Sequence, residues 1–82
     1  MNAIQQETHY HLPMSLYSKR ASKNLRKMIV NSGLSVEKIA FGSGVSKATI
    51  HNYLLKKRQP SIELLERIAD YLKKDFLDFF RA

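Results

Sequence analysis

Residues 33–72 read GLSVEKIAFGSGVSKATIHNYLLKKRQPSIELLERIADYL, and the punctuation of this stretch decides the fold. Gly33 supplies the positive φ that closes a preceding helix, Leu34 points back toward a core, and Ser35 caps the next helix with its hydroxyl. A second helix is therefore expected over Val36 to Phe41, broken by Gly42, Ser43 and Gly44. Val45 is apolar and Ser46 offers another cap three residues before Thr49, so a third helix is expected from Lys47 to Leu55. The run Lys56, Lys57, Arg58, Gln59, Pro60 reads as a basic loop. After it, Ser61 caps a fourth helix carrying Leu64, Leu65, Ile68, Ala69 and Leu72 at helical spacing.

Working upstream, Ser15 is a helix start, and Ala21, Leu25, Met28 and Ile29 form an apolar stripe while Lys19, Arg20, Lys23, Arg26 and Lys27 cluster opposite. This first helix ends near Asn31, Ser32 and Gly33. Residues 1–14 lack helical periodicity and contain Pro13, so they read as a flexible N-terminal arm preceding a domain of residues 15–82. Downstream, a short fifth helix is expected over Phe76 to Phe80 after Asp75. The fold class is all-α, with five helices.

A chain of 82 residues is large enough for one hydrophobic core and too small for two. Its 44% apolar content argues for a globular core. The absence of cysteine excludes disulfides, thiolate catalysis and cysteine-ligated zinc, and a reducing cytosol is the default. No apolar run is long enough for a signal peptide or a membrane span, so neither export nor a membrane location is expected. His9, His11 and His51 have no carboxylate or cysteine at ligand spacing, and no nucleophile, base and orienter can be assembled. Neither a metal, a cofactor nor an enzymatic activity is expected.

Net charge is +7, and its placement is informative. Between Ser15 and Arg58 there are ten basic residues against one acid, Glu37, whereas from Gln59 onward four bases face five acids. Positive potential gathered on one part of a surface is the footprint expected for a polyanion. The basic stripe of the first helix fits a solvated face, a phosphate rail or an anionic-lipid contact, the last lacking large apolar anchors.

Two short helices joined by a tight glycine-containing turn form a helix-turn-helix, whose second helix enters the major groove of DNA. Ala40 is placed where the two helices would approach closely, Gly44 turns the corner, and Val45 and Ile50 fill the space beneath. On the third helix, Ile50, Tyr53 and Leu54 share one face, leaving Lys47, Ala48, His51 and Asn52 on the other. Asn52 suits bidentate pairing with adenine, Lys47 suits the guanine O6 and N7 acceptors, Ala48 suits a thymine methyl, and His51 suits an acceptor or a phosphate. Ser35, Ser46 and Thr49, at the helix starts, and Lys56, Lys57 and Arg58, beyond the third helix, suit phosphate oxygens.

Asn24 to Phe80 resembles the lambda-repressor-like, or XRE-type, helix-turn-helix family of phage repressors and bacterial regulators. The likeness rests on the Gly-Leu-Ser start, the Ala40 position, the Gly-Val-Ser turn, the Thr-Ile pair and the Pro-Ser entry to the fourth helix. It implies base contacts at Lys47, Ala48 and Asn52, phosphate contacts around Ser35, Thr49 and Lys57, and a homodimer formed through the last helices. Three departures from the family pattern, at four positions, stand out. Val36 replaces a phosphate-gripping glutamine. Ile29 and Leu54 replace an arginine and glutamate pair, a joint change that predicts apolar packing between them. Lys56 replaces a glycine, trading an easy left-handed turn for a charge. The function implied is that of a cytoplasmic, nucleoid-associated or phage-encoded repressor that binds a pseudo-palindromic operator in double-stranded DNA as a dimer. An antitoxin or other protein-interaction module, with a toxin as partner, is the other class open to this scaffold. The aromatic cluster Phe76, Phe79 and Phe80 fits either core packing or a dimer seam.

Overall fold

The computed structural model describes residues 15–82, and the arm expected over residues 1–14 lies outside them. Within the described residues the chain is all-helical: α1 spans Leu16–Ser32, α2 Val36–Ser43, α3 Lys47–Leu54 and α4 Ile62–Leu72, followed by a 3-10 turn over Phe76–Phe80. The last element is thus a 3-10 turn where a fifth α-helix was expected. Its five residues start where the Asp75 carboxylate accepts from the Leu77 amide at 2.9 Å, and so short a segment keeps the tighter winding.

Hydroxyl caps set every α-helix start. Ser15 accepts from the Ser18 amide, Ser35 from Lys38, Ser46 from Thr49 and Ser61 from Leu64, each satisfying one amide that the helix itself leaves unpaired. Gly33 (φ 70°) and Gly44 (φ 75°) close α1 and α2 in the left-handed region, where a side chain is strained. Because Gly44 rather than Gly42 ends it, α2 runs two residues beyond the expected Phe41, and α3 stops one residue short of the expected Leu55.

The core is built from one side of each helix. Ala21, Leu25 and Met28 of α1, Ile39 of α2, Val45 of the turn, Ile50 and Tyr53 of α3, Leu65, Ile68 and Ala69 of α4, and Phe79 are buried together. Helix α1 packs on α3 and on the closing turn, while α2 packs on α3 and α4. Ile29 and Leu54, at the positions where the resemblance implies an arginine and glutamate pair in other members, both lie half-buried against this core. Ala40 is also half-buried, but the place with no room for a side chain is Gly42, where an added Cβ would fall inside the Tyr71 ring of α4. This close approach brings α2 onto α4, and it is separate from the approach of α2 to α3 expected at Ala40.

The aromatic cluster belongs largely to the core. Phe79 is fully buried, Phe76 and Phe80 are half-buried, and their rings meet edge to face with centroids 5.3 Å apart. The Asn24 amide of α1 donates to the carbonyls of Phe79 at 2.7 Å and Arg81 at 2.8 Å, latching the closing turn onto α1. Tyr53 makes a second such link, near the C-terminal end of α3. Its ring is fully buried, and its hydroxyl accepts from the Ser61 amide at 3.1 Å, tying α3 to the first residue of the α4 cap.

Replacing Tyr53 by Phe keeps the ring and removes the acceptor, leaving the half-buried Ser61 amide contact unmade. The Tyr53→Phe chain should lose about 1 to 2 kcal/mol in urea unfolding, with an unchanged m-value. An unchanged midpoint would show that water replaces the hydroxyl at no cost.

Candidate functional site

Helix α3 has eight residues, too few to persist without tertiary contacts. Ile50 and Tyr53, both fully buried, hold its inner face. Turned outward, Lys47, Ala48 and His51 are exposed and Asn52 is half-buried. The four residues expected to meet bases thus share one accessible side of a helix whose other side is anchored. Val36, at the position of the family glutamine, is half-buried against the core, so it offers this surface no polar group.

The residues expected at phosphates divide by what their groups already do. Ser35 is exposed and accepts from the Lys38 amide at 3.1 Å. The Ser46 hydroxyl accepts from the Thr49 amide at 3.1 Å and donates its own proton to Thr49 Oγ1 at 2.8 Å. That proton is committed, whereas the proton of the Thr49 hydroxyl remains available to an outside acceptor. Lys56, Lys57 and Arg58 are exposed directly beyond α3.

The turn that carries these three cations is a tight helix terminus. The Lys57 amide donates to the Asn52 carbonyl at 2.9 Å and the Lys56 amide to that of Tyr53 at 3.1 Å, the paired bonds of a Schellman closure. Lys56 occupies its left-handed residue at φ 58°, the position where the resemblance had put glycine. Sequence reading therefore anticipated the strain at Lys56.

Two contacts of the site were not anticipated. Arg26, read as part of the stripe on α1, donates from Nη2 to the Leu54 carbonyl at 3.2 Å. A cation thus meets the carbonyl end of α3, where the helix dipole is negative. The charge link between α1 and α3 survives the loss of the Arg–Glu pair, made one turn earlier and to backbone. The pattern that would have signalled it is the i, i+3 spacing of Arg26 and Ile29 on the same side of α1.

The second contact is Lys47 Nζ to Glu37 Oε2 at 2.7 Å, between exposed groups of α3 and α2. It lowers the Glu37 carboxyl below the usual glutamate range, foremost through the hydrogen bond from Lys47, then through a backbone hydrogen bond at Glu37 and the Lys47 charge, with a smaller contribution from His51. A lowered carboxyl stabilises the fold above the ordinary glutamate range, and that contribution fades as pH falls through the lowered value. Solvent screens an exposed pair, so its effect on stability is small.

Among the described residues, no group of three or more His, Cys, Asp or Glu side chains is placed to hold a metal ion. No described helix is long and apolar enough to cross a membrane. A family model described as helix-turn-helix matches residues 23–79, which takes in α2, α3, α4 and most of α1. No curated protein matches the chain.

The strained lysine offers a direct check of this geometry. Lys56→Gly relieves the left-handed strain while giving the unfolded chain more freedom, so a net gain of up to about 1 kcal/mol is expected in thermal or urea unfolding. A loss of stability would mean that the Lys56 side chain holds the turn in some other way.

Proposed function

The chain belongs to the lambda-repressor-like helix-turn-helix family of DNA-binding regulators, and from that premise we propose that it is a repressor that occupies a pseudo-palindromic operator as a homodimer. One observation carries the reading: an exposed face of α3, bearing Lys47, Ala48, His51 and Asn52, is backed by the buried Ile50 and Tyr53 and followed by three exposed cations. Residues 15–82 are the DNA-binding unit in this reading.

In this reading α3 lies in the major groove. Asn52 pairs with adenine N6 and N7, Lys47 donates to guanine O6 and N7, Ala48 packs on a thymine methyl, and His51 reaches an acceptor at the groove edge. Phosphates are held by the Thr49 hydroxyl, by the amides at the starts of α2 and α3 beside Ser35 and Ser46, and by Lys56, Lys57 and Arg58. Their role is to fix the register in which the base contacts are made.

Reading two half-sites one helical turn apart calls for a twofold partner. Supporting a homodimer, Tyr17, Pro60, Ile62 and Phe80 line one open apolar groove, and Ile62 and Leu77 are both large and exposed. A repressor of this size acts by excluding other proteins from the DNA it covers, with no catalytic step.

Substitutions on the two kinds of contact should separate. Asn52→Ala is expected to cost about 1 to 3 kcal/mol on the best site selected from random duplexes and to relax base preference at one position, whereas Lys57→Ala weakens all sequences alike and lowers the salt slope by about 0.9. Equal losses for Asn52→Ala on selected and scrambled DNA would remove Asn52 from the base-reading set. A salt-independent affinity for the parent chain would instead point to protein partners.

A further inference from the structure

Glu37 is the single acid between Ser15 and Arg58, and it sits in the first turn of α2, beside the face read above as meeting a polyanion. A carboxylate there repels phosphates, so its presence asks for a compensating role. Among the described residues, Lys47 is the one cation of this basic segment held in an ion pair, and its partner is Glu37. The remaining ion pairs, Arg67 with Glu63 and Arg81 with Asp78, lie beyond the segment.

We propose that Glu37 is a positioning residue that tethers the Lys47 ammonium, withholding it from DNA phosphates and reserving it for base edges. This rests on α3 being the recognition helix. A lysine head is a compact, freely swinging charge that settles on whichever phosphate is nearest, carrying no sequence information there. An ammonium has three donors. With one engaged by Glu37 Oε2 at 2.7 Å, two remain, which matches the paired O6 and N7 acceptors of guanine. The Glu37–Lys47 pair is also neutral as a unit, so Lys47 adds nothing to counterion release while it is tethered.

The placement of Glu37 suits the task. The N-terminal turn of α2 favours a carboxylate through the helix dipole, and both members of the pair are more than half exposed, so the tether is made at the protein surface where DNA would lie. Glu37 also senses His51, one turn further along the same face of α3.

The test compares the parent chain with Glu37→Gln, Lys47→Ala and the double variant, using a duplex that the parent chain selects from a random pool and a scrambled duplex of the same composition. Affinity is followed against salt, and base preference by repeating the selection. Glu37→Gln should bind the scrambled duplex more tightly, steepen its log-log salt slope by about 0.9, and relax preference at the same base position as Lys47→Ala. In the Lys47→Ala background, Glu37→Gln should leave base preference unchanged and steepen the slope less than it does in the parent chain, since only the repulsion of a bare carboxylate is then relieved. A slope change as large in that background as in the parent chain would mean that Glu37 merely repels DNA. A further shift in preference there would mean that Glu37 reads a base itself. Either result overturns the proposal, as does an unchanged slope in the single variant. If the parent chain binds neither duplex, the DNA reading falls and the tether with it, whereas the other failures leave that reading standing. Thermal melting of all four proteins separates these effects from any loss of fold.

Discussion

An eight-residue helix cannot hold itself together in water, so everything α3 presents outward depends on what Ile50 and Tyr53 do inward. Both are fully buried among residues from every other element, and the Tyr53 hydroxyl also receives the Ser61 amide. The helix is thereby fixed in rotation as well as in place. Turning it by one residue, about 100°, would bury Lys47 or His51 and expose Ile50, exchanging apolar burial for a desolvated charge. That asymmetry makes the outward face at 47, 48, 51 and 52 a consequence of the core.

The parts of this arrangement that could be read from sequence are those set by short-range chemistry. The caps at Ser15, Ser35, Ser46 and Ser61 and the left-handed glycines at 33 and 44 follow from which residues satisfy a helix end, and each can be recognised within four or five residues. Apolar spacing likewise gave the inward positions of α3 and α4. What escaped was long-range. Gly42 reads as a helix breaker locally, but it lies inside α2 because Tyr71, from a helix some thirty residues on, occupies the space of its missing Cβ. Asn24 looks like an ordinary surface amide until the chain end folds back to meet it. The candidate site shows the same division: its exposed residues were legible, while Glu37 and Arg26 reach across between helices, Glu37 with no pattern along the chain and Arg26 with only its spacing from Ile29 on α1 to mark it.

Charge in the basic segment is arranged with more discrimination than a net excess suggests. Arg26 meets the carbonyl end of α3, Lys47 meets Glu37, and Lys56, Lys57 and Arg58 stand exposed in the turn after α3. The first helps hold the helix and the second fixes a side chain. The last three are exposed and, among the described residues, in no ion pair, which leaves them free for the phosphate contacts proposed above. A uniformly basic surface would bind any polyanion, whereas cations with separate tasks allow base contacts to be distinguished from backbone grip.

Lys56 illustrates how such assignments have to be weighed. Its left-handed backbone invites the thought that strain was accepted for the sake of a charge, yet Lys73 adopts nearly the same conformation, φ 59°, at the end of α4, in the C-terminal part of the chain where acids outnumber bases. The shared cause is local. Both lysines end a helix in a Schellman closure, where a cation complements the negative end of the helix dipole by about 0.3 to 1 kcal/mol and offsets part of the cost of a left-handed side chain. Strain at Lys56 is therefore explained by the helix it ends, and its candidacy as a DNA contact rests on its neighbours, two further exposed cations beside an outward-facing helix.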